Sequence, residues 1–213
     1  ALRVRFNPEL NRSWFGAVME VINNITMLSI VLTGAALIRE REHGTVEHLL
    51  VMPVTPFEIM CSKVWAMALV VLVAAGLSLW LVVQGLLAVP IEGAIALFLM
   101  GATLHLFATT SMGIFLATMA RSMPQFGLLL MLVLMPLQIL SGGMTPRESM
   151  PEAVQWIMQA APTTHFVILA QAILYRGAGL SVVWPQFAAL AVIGTILFTL
   201  SLARFRNTLG TMA

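Results

Sequence analysis

The sequence predicts an all-α, polytopic membrane protein with five transmembrane helices and a re-entrant external helical hairpin. Three observations predict it. Hydrophobic residues make up 60% of the 213 and charged residues 9%, against about 25% charged in a soluble domain, so a water-exposed surface could not be solvated. Five apolar runs meet or approach the about 20 residues that a helix needs to cross the hydrocarbon core. The eleven basic residues, which leave a net charge of +2, sit almost entirely between those runs. Basic residues placed that way are topology signals rather than a nucleic-acid patch, so membrane lipid is the expected surrounding and no nucleic acid the expected partner.

The runs follow in order. Phe15–Ile38 carries some polar content at its start, namely Glu20, Asn23 and Asn24. Val64–Val89 is interrupted only by Ser78 and Gln84, and Ala94–Ala120 holds His105 with Thr109, Thr110 and Ser111. Met123–Leu140 is the shortest, with Pro136 near one end, and Val182–Ala203 has Pro185 in its expected first turn. Burying five such runs on every side is beyond a soluble chain of this length. Between Ser141 and Ser181 the pattern changes. Pro151–Ala160 and Thr164–Tyr175 are helical in pattern, split by Pro162, and each too short to cross. Ser141-Gly142-Gly143 opens the segment as a turn and Gly177 closes it. Two short apolar helices joined by a proline read as a hairpin dipping into one leaflet. A tilted sixth span is the alternative.

Alternate loops hold Arg39, Arg41 and Lys63, then Arg121, then Arg204 and Arg206. The opposite loops hold Arg147 and Arg176 in the hairpin region and none over 90–93. The positive-inside rule places the 39–63 loop, Arg121 and the C-terminus in the cytoplasm. Arg3, Arg5 and Arg12 then fall outside, as they would in a long external domain, which follows the rule poorly. No charged n-region and h-region open the chain, so an earlier span and external domain are expected before Ala1.

The Arg39–Lys63 connection is the densest in chemistry, with four of the nine acidic and three of the eleven basic residues. Gly44 suits a helix C′ position. Thr45 can cap a short helix that Pro53 stops. Thr55-Pro56-Phe57-Glu58 is a capping box with proline at the first helical position, starting the helix of the second span. The short middle helix is amphipathic, with Val46, Leu49 and Leu50 opposite Glu47 and His48. Such a helix is a membrane-interface spacer or a docking element for a cytoplasmic partner.

At these residues the chain resembles bacterial ABC-type export permeases. Glu40-Arg41-Glu42, Gly44-Thr45, Glu47, Leu49-Leu50, Pro53 and Lys63 are similar to the loop after their second span. Ser141-Gly142, Pro146, Met150-Pro151, Gln155, Pro162 and Gly177 are similar to their external hairpin, and Arg204-Phe205 to their ending. Asn7-Pro8-Glu9 resembles the end of the external domain of the YhhJ-like inner-membrane subgroup. One departure is Gln171, where the family often has an arginine. The resemblance implies that residues 1–14 end a truncated external (periplasmic) domain and that 15–213 form the permease domain. It further implies a coupling loop at 39–63, an external hairpin at 141–181, and a place in the bacterial inner membrane. It also implies a second permease subunit and a cytoplasmic ATPase subunit that binds ATP and Mg, with no cofactor in this chain. Carried over, Glu40, Arg41, Glu42, Gly44, Thr45, Glu47, Leu50, Pro53 and Glu58 would couple the ATPase to the spans. The plainer reading is that these charges solvate a loop at the headgroups.

An ATPase needs a glycine-rich loop with lysine and a metal-binding aspartate. Lys63 is the only lysine, no such loop precedes it, and the sequence has no aspartate. Energy must come from a partner or from an ion gradient. Cys61 is the only cysteine, so neither an internal disulfide nor a cysteine-rich metal site is available. A gradient-coupled transporter would use an ionisable group at membrane depth, and His105 is the candidate. Thr109, four residues on, is its expected hydrogen-bond neighbour. Asn23, Asn24, His105 and Thr109 either pack helices together or line a translocation path. Gly76-Leu77-Ser78-Leu79 superficially resembles an intramembrane-protease nucleophile motif, but four residues match by chance too easily to carry a membrane-embedded enzyme. The fifteen methionines read as packing or adaptable lining rather than a metal path. Few charges in the spans suit a hydrophobic or amphiphilic substrate.

Overall fold

The computed structural model describes residues 12–43, 54–89, 91–143, 145 and 149–210. Seven helical segments follow one another among them. They are α1 (Arg12–Glu42), α2 (Pro56–Leu77, running on as a π-helix over Ser78–Leu86), α3 (Ile95–Met119), α4 (Met123–Leu140), α5 (Glu152–Met158), α6 (Pro162–Arg176) and α7 (Leu180–Gly210). Five of them, α1 to α4 and α7, are long and apolar enough to cross a membrane. The chain is an all-helical, multi-pass membrane protein.

Each helix starts and stops for a local reason. Thr55 caps α2 as expected: its hydroxyl accepts from the Glu58 N–H at 3.3 Å, and the Glu58 carboxylate accepts from the Thr55 N–H at 2.7 Å. Such a box is worth about 1 kcal/mol. Pro124 and Pro162 occupy the first turns of α4 and α6, where a missing N–H costs nothing. At the end of α6, Gly177 takes φ 63°. That turn lets the N–H groups of Gly177 and Ala178 donate to the Ile173 and Ala172 carbonyls at 3.0 and 2.9 Å, satisfying the helix's last acceptors. Two boundaries differ from expectation. Helices α1 and α7 run well past their apolar runs, because hydropathy marks the lipid-soluble part of a helix and not its hydrogen-bonded length. Helix α7 starts at Leu180, so Pro185 lies beyond its first turn and inside the helix.

Helix α3 is the centre of the bundle. It packs against α1, α2, α4, α6 and α7, which explains why it is apolar on every side rather than on one face. Helices α1 and α3 run in the same direction, with Thr26 beside His105, Ser29 beside Thr109 and Arg41 beside Ala120. Gly113 lets them touch, since a Cβ there would come within 2.7 Å of the Ile30 carbonyl oxygen. Helix α7 also runs parallel to α3, with Ser201 donating to the Ser111 carbonyl at 2.7 Å and Arg204 over the Phe115 ring. Helices α2 and α4 run the opposite way, which places Lys63 beside Glu40 and Met123 beside Glu42.

Helices α5 and α6 meet at 91°. Gly143, just before the pair, lies against Met19, and Gly177, just after it, lies against Glu92. The Glu92 N–H donates to the Leu174 carbonyl at 3.2 Å. Both ends of the pair therefore sit at one end of the bundle, where α1 and α3 begin. Its tip reaches inward, with Met158 and Ala161 packed beside Met112, Val133 and Leu137. This is the geometry of a re-entrant hairpin. A sixth span would have carried Gly177 to the opposite end.

Candidate functional site: a charged junction and a buried polar seam

Three consecutive residues at the end of α1 each reach a different helix. Glu40 pairs with Lys63 of α2. Arg41 donates through Nη1 to the Ala120 carbonyl at 2.7 Å and through Nη2 to the Ala117 carbonyl at 3.3 Å, at the C-terminus of α3. The Glu42 carboxylate accepts from the Met123 N–H at 3.0 Å, in the first turn of α4. The signs suit their partners: a guanidinium meets the negative end of one helix and a carboxylate the positive end of another. A helix projects successive side chains about 100° apart, so only a helix set between several neighbours could use three in a row this way. An exposed pair contributes under about 1 kcal/mol, but three contacts sharing one backbone fix the position of the α1 end relative to three helices.

The chain leaves this junction directly into residues 44–53. Gly44, Thr45, Glu47, Leu50 and Pro53 lie outside the described residues. Glu58 is exposed and engaged in the capping box of α2. Of the residues expected to couple, the structure therefore brings together Glu40, Arg41 and Glu42. It adds Lys63 as a partner, together with the Ala117, Ala120 and Met123 backbone. The sequence contained Lys63 in the same connection but gave no distance between the ends of the α1–α2 loop.

The second cluster lies midway along α1 and α3. The Thr26 hydroxyl and His105 Nε2 are 2.8 Å apart, and the Ser29 hydroxyl donates to Thr109 Oγ1 at 2.7 Å. Thr109 in turn donates to the His105 carbonyl at 3.0 Å. The expected partnership of His105 with Thr109 is thus through the backbone, and the ring pairs with α1 instead. The ring also stacks on Phe166 of α6, with centroids 4.2 Å apart and planes 7° off parallel. Its Nδ1 turns toward the Pro162 backbone without meeting hydrogen-bond geometry. Thr26, Ser29, His105 and Thr109 are fully or almost fully buried, so the seam joins α1 to α3 and leans on the hairpin tip. Sequence reasoning missed Thr26, Ser29 and Thr33. Their spacing of three and four, which stacks side chains on one helix face, was the available signal.

The remaining expected residues sit toward the hairpin end, except Pro162 at the inward tip. Asn24 donates through Nδ2 to Glu20 Oε1 at 3.2 Å, while Asn23 is half-buried on the same helix. Ser141 is buried and donates to the Gln138 carbonyl at 3.2 Å, and Gly142 follows with φ 94°. Pro162 opens α6 at the hairpin tip and Gly177 closes it. Gln171 has its amide 3.5 Å from Met19 Sδ.

These features agree with comparisons to known proteins. Residues 6–175 match the family model described as ABC-2 type transporter. The chain is 71% identical over 211 residues to the inner membrane transport permease YhhJ of Escherichia coli strain K12, covering 99% of this chain and 56% of that protein. It is 29% identical over 206 residues to the probable multidrug ABC transporter permease YbhR of the same organism, covering 95% and 55%. A more distant relative is ABC transporter G family member 20 of Dictyostelium discoideum, 29% identical over 178 residues, or 82% of this chain and 24% of that one. The chain spans about half the length of the two bacterial relatives. Parallel α1, α3 and α7, a re-entrant hairpin, a charged junction at one end and the family match over residues 6–175 lead to one assignment: the chain belongs to the ABC-2 type transporter membrane family.

Proposed function

We propose that this chain is the membrane-spanning part of a permease subunit of an ATP-binding-cassette exporter in the bacterial inner membrane. A separate cytoplasmic subunit binds ATP and Mg and hydrolyses the nucleotide, and a second permease subunit, identical or paralogous, completes the membrane path. The cargo is hydrophobic or amphiphilic. Relatives named as transport and multidrug permeases support this reading. The observation that carries it is the junction of Glu40, Arg41 and Glu42. Residues 44–53 follow it immediately, so a push on that segment displaces the end of α1. Three contacts then pass the displacement to α2, α3 and α4 at once. Glu47 carries the contact with the ATPase, beside Thr45 and Leu50, in the segment that Gly44 and Pro53 bound in sequence. The junction charges transmit the motion and do not themselves dock.

The full chain, extracted in mild detergent, is expected to co-purify with an ATPase subunit and to stimulate its hydrolysis. Reversing Glu47 to lysine should weaken that association by about 2–5 kcal/mol, because one favourable contact becomes a like-charge one. Insertion into the membrane should be unchanged. Normal association and normal stimulated hydrolysis in Glu47→Lys would remove the docking role from this residue.

A further inference from the structure

A groove runs between α1 and α2 in the half of the bundle nearer the hairpin end. It encloses about 250 Å³ and is lined by Val21, Asn24, Ile25, Leu28, Val71, Ala74, Ala75 and Ser78. Six of these eight are apolar, and no basic side chain is among them. Hydrogen-bond acceptors line its polar side. Asn24 commits its Nδ2 to Glu20, which leaves the Asn24 carbonyl oxygen as an acceptor. The Glu20 carboxylate, one turn toward the hairpin end, is exposed and can only accept when ionised. The Ser78 hydroxyl, able to accept as well as donate, lines the opposite wall. Ser78 is also where α2 changes to a π-helix, a less stable backbone form that recurs at functional sites.

We propose that this groove binds a single-chain amphiphile with a protonated amine head group. The tail lies along Ile25, Leu28, Val71 and Ala75, and the ammonium donates to Glu20 and the Asn24 carbonyl. Charge selects the head, since acceptors with a carboxylate favour a cationic donor and repel an anion. Volume selects the tail, since pockets for drug-sized ligands run from about 300 to 1,000 Å³ and this one suits one slim chain. As a statement about cargo, the proposal rests on the export reading; as a statement about binding, it does not.

The test is equilibrium binding of n-decylamine to the full chain in neutral-lipid nanodiscs at pH 7, with no ATPase or nucleotide present. Decanol and decanoate serve as neutral and anionic counterparts. Decylamine should show a saturable component above lipid partitioning, and the other two should show none. Glu20→Gln should weaken that component about tenfold, the loss of one charge-assisted contact. Ala74→Phe should abolish it by filling the groove from an exposed position, and Ala75→Leu provides a second block. The proposal is overturned if decylamine shows no saturable binding, if decanol or decanoate binds equally, or if both blocking variants bind as the wild type does. Equal uptake of all three chains would mean that the groove holds ordinary lipid tails. A coupling defect in Glu47→Lys leaves this assay untouched, so the two readings fail separately.

Discussion

The His105 ring nitrogen, buried from water, is paired with a single hydroxyl of another helix, that of Thr26. Removing one partner of a buried hydrogen bond costs more than removing both, because the orphaned group keeps its desolvation penalty. Thr26→Val, which preserves shape, should therefore destabilise the protein by about 1–3 kcal/mol. The same substitution in a His105→Phe background should cost almost nothing, since the phenyl ring can keep the stack on Phe166 and asks nothing of Thr26. Unfolding in bicelles for the four members of this cycle checks it, and equal penalties in both backgrounds would show that the bond contributes nothing. His105 was visible in the sequence as a lone ionisable group in an apolar run. Its partner was not, because Thr26 lies 79 positions away and hydroxyls are common in apolar helices.

Several helix boundaries were legible from a local rule, the start of α7 being an exception. The fourth span runs over Met123–Leu140 as its hydropathy predicts, and the second helix starts at the Thr55 capping box. The π-helical stretch over Ser78–Leu86 left no trace in hydropathy, because a wider turn uses the same apolar residues. Glycine is the clearest case of tertiary context reversing a local preference. Gly127 in α4 has open space where a Cβ would go, whereas at Gly113 in α3 the Cβ would press on the Ile30 backbone. Gly127→Ala should stabilise by about 0.5–1 kcal/mol through helix propensity. Gly113→Ala should instead destabilise by about 1–3 kcal/mol, since backbone cannot move aside as a side chain can. Opposite signs in thermal unfolding of the two variants are the expected result. A gain at both positions would mean that α1 and α3 do not approach so closely.

At the scale of the whole molecule, the fold has two chemically different ends. One carries Glu40, Arg41, Glu42, Lys63, Arg121 and Arg204, and the other carries Glu20, Glu92, Glu152 and Arg176. By the positive-inside rule, the basic excess at the first end predicts that it faces the cytoplasm. In a Cys61→Ala background, a membrane-impermeant maleimide should label Glu92→Cys and Gly179→Cys from outside intact cells. It should reach Arg121→Cys only after the membrane is opened. Gly179 has open space at its Cβ position and Glu92 and Arg121 are exposed, so none of the three cysteines should perturb packing. Labelling of residue 179 from the cytoplasmic side alone would turn the hairpin into a crossing. Reversed labelling of all three would invert the molecule and move the junction away from any ATPase.

The sequence by itself determined the class, the number of long spans, the short hairpin helices, the Thr55 cap and the break at Gly177. Each of these depends on composition or on contacts within a few residues: transfer of apolar side chains into hydrocarbon, a threonine over its own helix, a glycine at a helix end. Only the tertiary structure decided that α3 is the centre, that the hairpin turns back, and that Glu40, Arg41 and Glu42 hold three helices. It also decided that Asn24 faces a groove shared with Ser78. These are matters of which apolar face meets which, and in lipid an apolar face has no strong preference for one partner over another. Close backbone approach at a glycine and a few buried polar pairs make the choice, and those pairs join residues tens of positions apart.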